Sequence, residues 1–229
     1  MRQRTQIVLV TGLIFLWAAW GWCLSVEEMV NKAASLNPTL KDYQVLLNLS
    51  ITGPSIEAPR IVVKLSYKKP DKMRLDPVSG FAVLPEKQVL FGNPLNELRK
   101  RAKLYYTGER ALGGRTCYVV KIVPVAPSAP QTAGPGRAPS QSPKPKPVYA
   151  WLDKERFTLE QLKIEEEYMS LVARFTNAKY SGQWWLPQKV LVTIKAGEPE
   201  PTVIDLNFKE YKFNIGLQDS FFPPPTAGQ

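Results

Sequence analysis

Tyr43-Gln44-Val45-Leu46-Leu47-Asn48-Leu49-Ser50-Ile51-Thr52 is the stretch that decides the fold. Tyr43, Val45, Leu47, Leu49 and Ile51 alternate with Gln44, Leu46, Asn48, Ser50 and Thr52, and a period of two puts the first set on one buried face of a β-strand. Gly53-Pro54 then turns the chain. The same alternation returns downstream, with Ile61, Val63, Leu65 and Tyr67, and after Pro70-Asp71 with Met73 and Leu75 opposite Lys72, Arg74 and Asp76. Further strands are predicted at Gln88–Phe91, Thr116–Ile122, Val148–Asp153, Leu171–Phe175, Val190–Ile194 and Ile204–Phe208.

Upstream, Ser25 and Glu28 have capping-box spacing, Val26, Met29, Val30 and Ala33 share one helical face, and Asn37-Pro38 stops the helix. A second short helix is expected after Asn93-Pro94, with Leu95, Leu98 and Ala102 on its buried side. Glu109 to Gly114 reads as a turn region, and Phe157 to Tyr168 fits either an exposed helix or an edge strand. Strands at hairpin spacing with one or two helices predict a mainly β (α+β) fold, a large curled antiparallel sheet with helices against its apolar face.

With 229 residues the chain has room for one such domain, expected over 25–225. From Pro124 to Pro147, eight of 24 residues are proline and none is aromatic or acidic. A segment with so little to bury is expected to be a disordered insertion between two strands of one sheet. Residues 1–24 read as a signal peptide or N-terminal anchor: Arg2 and Arg4 precede an apolar run from Ile7 to Trp20, too short for a comfortable span. Cleavage after Gly21, retention as an anchor and lipidation of Cys23 are the three fates, although Trp22 stands where lipidation expects a small residue. The expected location is therefore extracytoplasmic, in the periplasm or cell envelope. In a cleaved chain Cys117 is left alone, and its expected state is a buried thiol inside a strand.

The chain contains no histidine, which excludes Ser-His-Asp and Cys-His catalysis and histidine metal sites. Two cysteines cannot build a four-thiolate site. Glu165-Glu166-Glu167 would alternate across a strand and form no acid/base pair. No enzyme, cofactor or metal is expected. The formal charge is +10, and 13 basic against 5 acidic residues between Arg60 and Arg115 concentrate the excess. Arg99, Lys100, Arg101 and Lys103 form the densest run, either a basic rim for a membrane surface or acidic partner, or a solvated face. An export signal argues against nucleic acid, and a monomer is expected.

A wide sheet with few helices either packs its core fully or curls around a cavity. In the second case the apolar phases supply the lining: Val45, Leu47, Leu49, Val63, Leu65, Met73, Leu75, Phe175, Val192, Leu206 and Phe208.

Several motifs carry a family resemblance. Tyr67-x-x-Pro70-x-x-x-Arg74, Gly113-Gly114-Arg115-Thr116-Cys117-Tyr118, the strand Val148–Asp153, Trp185-Leu186-Pro187 and the terminal Phe221-Phe222 follow an export leader and a helix. This order resembles the LolA/LolB-like lipoprotein-localisation factors over roughly Ser25 to Pro223. The resemblance implies an unclosed barrel of about eleven strands, plugged by helices on its concave side. It further implies a cavity for lipoprotein acyl chains or a similar lipid, and a carrier function. An envelope-stress sensor of the same fold that binds a membrane partner is the alternative. The proline-rich insertion departs from the family's compact pattern.

Overall fold

A computed structural model describes residues 24–54, 56–57, 59–79, 95, 98, 102–125, 146–197 and 199–222. The expected leader with Cys23, the strand at Gln88–Phe91, the basic residues Arg99, Lys100 and Arg101, and most of the proline-rich insertion lie outside them. The chain begins with helix α1 (Val26–Ala34) and continues as strands β1 (Asp42–Gly53), β2 (Ile56–Glu57), β3 (Ile61–Lys68) and β4 (Lys72–Ser79). Then come β5 (Ala102–Leu112), β6 (Arg115–Pro124), β7 (Val148–Asp153), β8 (Leu159–Glu165), β9 (Ser170–Tyr180), β10 (Trp184–Lys195) and β11 (Thr202–Phe213).

The strands form one antiparallel sheet in the order β4-β3-β1-β11-β10-β9-β8-β7-β6-β5, with β2 paired to β1 beside that path. Among the described residues β4 and β5 end this order and do not pair with each other, so the barrel does not close. The sequence places most strands next to their chain neighbours, and the β1–β11 pair joins the two ends of the fold. Direct partners in an antiparallel ladder share a face. Leu49 pairs with Leu206, Leu206 with Val190, and Val190 with Phe175, which forms one apolar row across four strands. A second row runs Ile204, Val192, Ala173, Leu162, Ala150, Val120, and both rows belong to one buried cluster or pack against it.

α1 closes over this face. Its capping box is complete: the Glu28 N–H donates to Ser25 Oγ at 3.2 Å, and the Ser25 N–H donates to Glu28 Oε2 at 2.8 Å. Met29 and Val30 are buried in the cluster and Val26 and Ala33 pack against it, the face expected from their spacing.

Two prolines sit where strands tolerate them. Pro77 lies on the edge strand β4, and Pro187 lies at a register shift of β10, before pairing with β11 begins at Lys189. In β11 the register shifts opposite Gln44/Leu46, and Glu210 takes φ 57°. That bulge inserts one residue, so Tyr211 and Phe213 continue the face of Phe208.

Five expectations need correction. Leu95 and Leu98 are helical, but Ala102 opens β5, where pairing with Pro124 overrides its helical spacing. Glu109 to Leu112 are strand, and only Gly113-Gly114 turns, both at positive φ. An exposed edge strand has no buried face to impose alternation, so its pattern reads as a turn. Phe157 to Tyr168 contains β8, which lies between β7 and β9 and is not an edge. Glu165 ends β8 while Glu166 and Glu167 lie in the turn to β9, and Glu165 and Glu166 pair with Lys163 and Lys146. Pro124 is the last residue of β6, where a missing N–H costs the ladder little, so the insertion starts after it.

A C-terminal strap crosses the β3–β4 hairpin. Lys68 and Lys72 contact the Asp219 carboxylate at 2.6 and 2.7 Å, and their hydrogen bonds hold its pKa down at about 2. The Arg74 guanidinium lies 4.6 Å from the Phe221 ring centroid and donates to the Phe221 carbonyl.

Candidate functional site: a cleft beneath the N-terminal helix

At one end of the barrel, where β1, β8 and β10 begin and β3 and β9 finish, the helix does not fill the concave face. A cleft of about 120 Å³ remains. Its roof is the end of α1 and the chain after it: Ala33, Ala34, Leu36, Asn37 and Leu40, with Leu95 beside them. Its floor is Tyr43, Tyr67, Phe175, Leu186 and Phe208. Lys69, Thr158, Asn177, Trp185 and Pro187 are further lining residues.

Side-chain ties hold the roof down. Asn37 bonds the backbone of Trp185 twice: Nδ2 donates to the carbonyl at 2.8 Å, and Oδ1 accepts from the N–H at 2.9 Å. The Trp184 indole N–H donates to Thr39 Oγ1 at 3.0 Å. This pairing fixes an otherwise irregular segment to the start of β10.

Tyr43 and Tyr67 of the lining belong to an aromatic cluster that continues behind it. Tyr43 and Tyr67 centroids lie 5.2 Å apart, Tyr43 and Tyr211 5.6 Å, Tyr180 and Tyr211 4.7 Å, and Trp184 and Phe213 4.7 Å. Such tilted pairs add packing energy beyond buried area. Burial pushes the Tyr43 and Tyr211 hydroxyls well above their usual pKa, so both stay protonated. The Tyr211 hydroxyl donates to the Pro187 carbonyl at 2.7 Å and the Tyr67 hydroxyl to the Pro70 carbonyl at 2.8 Å.

Polar groups around the cleft are mostly engaged with the protein. Thr158 Oγ1 donates to Glu160 at 2.6 Å, and Asn177 Nδ2 donates to the Leu159 carbonyl at 2.8 Å. The Lys69 ammonium donates to the Asn37 carbonyl, and burial pushes its pKa down.

All eleven apolar positions drawn from the sequence fall on the same sheet face. Val45, Leu47, Leu49, Val63, Leu65, Val192 and Leu206 are buried in the cluster, and Met73 and Leu75 pack against it. Phe175 and Phe208 belong to the cluster and also line the cleft. Lys103 is exposed at the start of β5 and lies outside the cleft lining. Period-two reading missed Leu36, Leu40, Trp185 and Leu186, because a roof loop and a strand entry carry no periodic signal. Tyr211 and Phe213 were hidden by the phase change at Glu210.

Cys117 is a fully buried thiol in β6, as expected, and burial pushes its pKa up to about 11. A thiol so protected is a poor nucleophile. Among the described residues no cluster of His, Cys, Asp and Glu could hold a metal ion, and no helix is long and apolar enough to cross a membrane.

No protein-family model matches the sequence, and comparison with curated proteins finds no relative. The fold is nonetheless similar to solved structures. An outer-membrane lipoprotein-sorting protein domain from Vibrio parahaemolyticus superposes with a TM-score of 0.59 at 11% identity, covering 84% of this chain and 94% of that one. A LolA superfamily protein from Nitrosomonas europaea gives 0.58 at 11% identity, covering 88% and 99%. A DUF1329 family protein from Desulfovibrio piger gives 0.56 at 13% identity, covering 86% and 97%. The protein therefore has the LolA-like fold, an unclosed antiparallel barrel with a helix over its concave face.

Proposed function

We propose that the protein is a non-catalytic carrier of the cell envelope that binds an acyl chain, from a lipoprotein or a similar lipid, in the cleft beneath α1. The observation that carries this reading is an apolar, aromatic-walled cleft roofed by a short helix and a loop. The fold shared with a lipoprotein-sorting domain and the expected export leader support an extracytoplasmic carrier.

Size bears on mechanism. About 120 Å³ is well below the ~300–1,000 Å³ that encloses a drug-sized ligand. This conformation is the closed one, and α1 with its following loop swings out to admit a chain. α1 suits the task, since side-chain packing and a few ties of the loop after it, Asn37 and Thr39 to β10 and Lys69 to Asn37, anchor it rather than a ladder of strand bonds.

Fluorescent acyl probes of increasing length, titrated into the purified mature protein, test the reading. Burial is worth about 0.8 kcal/mol per methylene, so affinity should rise about fourfold per methylene until the opened cleft is full, then level off. Absence of saturable binding across the series would sink it.

A further inference from the structure

The cleft has an apolar body but a charged margin, and that charge is distinctive. Three cations near Lys69 have a carboxylate partner: Lys68 and Lys72 share Asp219 at 2.6 and 2.7 Å, and Arg74 contacts Asp76 at 2.7 Å. The Lys69 ammonium has none among the described residues, and its hydrogen bond goes to the uncharged carbonyl of Asn37. An ammonium has three donors, so two remain for a ligand. The backbone of Lys69 is fixed, its N–H donating to the Lys41 carbonyl at 2.9 Å. Glu160, next in sequence to the lining residue Leu159, accepts from Thr158 at 2.6 Å and lies 3.7 Å from Arg115.

A partly buried cation beside an apolar cleft is costly unless something neutralises it. We propose that Lys69 selects amphiphiles with an anionic head group, so that the ligand is an acyl chain ending in a carboxylate or phosphate, the chain in the cleft and the head on the Lys69 ammonium. This rests on the acyl-chain reading and narrows it to a chemical class. The carbonyl of Asn37 shares the same ammonium. With two donors left, a head group can bind the ammonium while the Asn37 carbonyl keeps the third.

The test compares dodecanoate, dodecyl phosphate and uncharged dodecanol, each below its micelle concentration, on the mature wild type, Lys69→Met and Lys69→Arg. Displacement of a bound fluorescent chain is the readout, and melting curves confirm that each variant is folded. A charge-assisted hydrogen bond should give the wild type about a tenfold preference for the anionic chains over dodecanol. Lys69→Met should bring the anion-to-alcohol ratio down to about one, whatever it does to overall chain affinity, and Lys69→Arg should keep the preference. An unchanged anion-to-alcohol ratio in Lys69→Met would overturn the inference. So would a wild type that binds dodecanol as well as the anions, a result that leaves the carrier reading intact and needs no variant to fold. If none of the three chains binds, both readings fall together. Inorganic phosphate is the control for the source: displacement of dodecyl phosphate by comparable concentrations of free phosphate would overturn an amphiphile site.

Discussion

Asp42 shows how one side chain fastens the C-terminal segment. Only 3% of it is exposed, and its carboxylate accepts from the backbone N–H groups of Ile215, Gly216 and Leu217 at 2.7, 3.2 and 3.3 Å. Its own carbonyl accepts from the Asn214 N–H at 2.8 Å. Asn214, at φ 49°, turns the chain out of β11, and its Oδ1 accepts from the Lys41 N–H. Asp42→Ala leaves three donors with no protein acceptor, and since Ile215 and Gly216 are exposed to water the cost falls at the low end of ~1–3 kcal/mol per group. Urea denaturation should show a loss of about 3 kcal/mol, with Asp42→Asn losing about half as much because one oxygen remains. A loss under about 1 kcal/mol would mean that the strap is held elsewhere.

At the scale of elements, strands with one buried face were legible and the others were not. β1, β3, β9, β10 and β11 lie inside the sheet, and their alternation followed directly from apolar Val, Leu and Ile at every second position. β5 was not legible anywhere along its length, Ala102 reading as helix and Glu109 onward as turn, because an edge strand with exposed Tyr105 and Tyr106 has no buried face to write a pattern. The cleft roof was illegible for a different reason. Leu36 and Leu40 line one cleft with Leu186 across about 150 residues of chain, and the ties of Asn37 and Thr39 to β10 bring them together. Those ties set the behaviour of the lid. Asn37→Ala removes both side-chain bonds to Trp185 but keeps the carbonyl that Lys69 uses. The roof should then open more often, and stopped-flow association of an acyl probe should speed up several-fold while the sheet's melting temperature falls by no more than about 4 °C. An unchanged association rate would mean that the loop after α1 does not gate the cleft.

For the whole molecule, the arrangement of strands decides what the fold can do. The β1–β11 pair brings chain start and chain end side by side, so α1 and the C-terminal strap both lie near the β1–β3 region. The open edges at β4 and β5 let the sheet curl without closing, and a curled open sheet has room for a lid where a closed small barrel would fill with side chains. Most of the concave face is nonetheless packed, from Val45 and Leu65 through Ala150 and Val120. Carriage is therefore proposed for one end of the barrel only. Whether an acyl chain enters that end is tested most directly by photolabelling the mature protein with a fatty acid bearing a terminal diazirine and mapping the modified residues by mass spectrometry. Labels should concentrate on the cleft lining, Phe175, Leu186, Phe208 and Leu40, and excess unlabelled fatty acid should suppress them. Labelling scattered over the exposed surface, unaffected by competitor, would contradict an internal acyl-chain site.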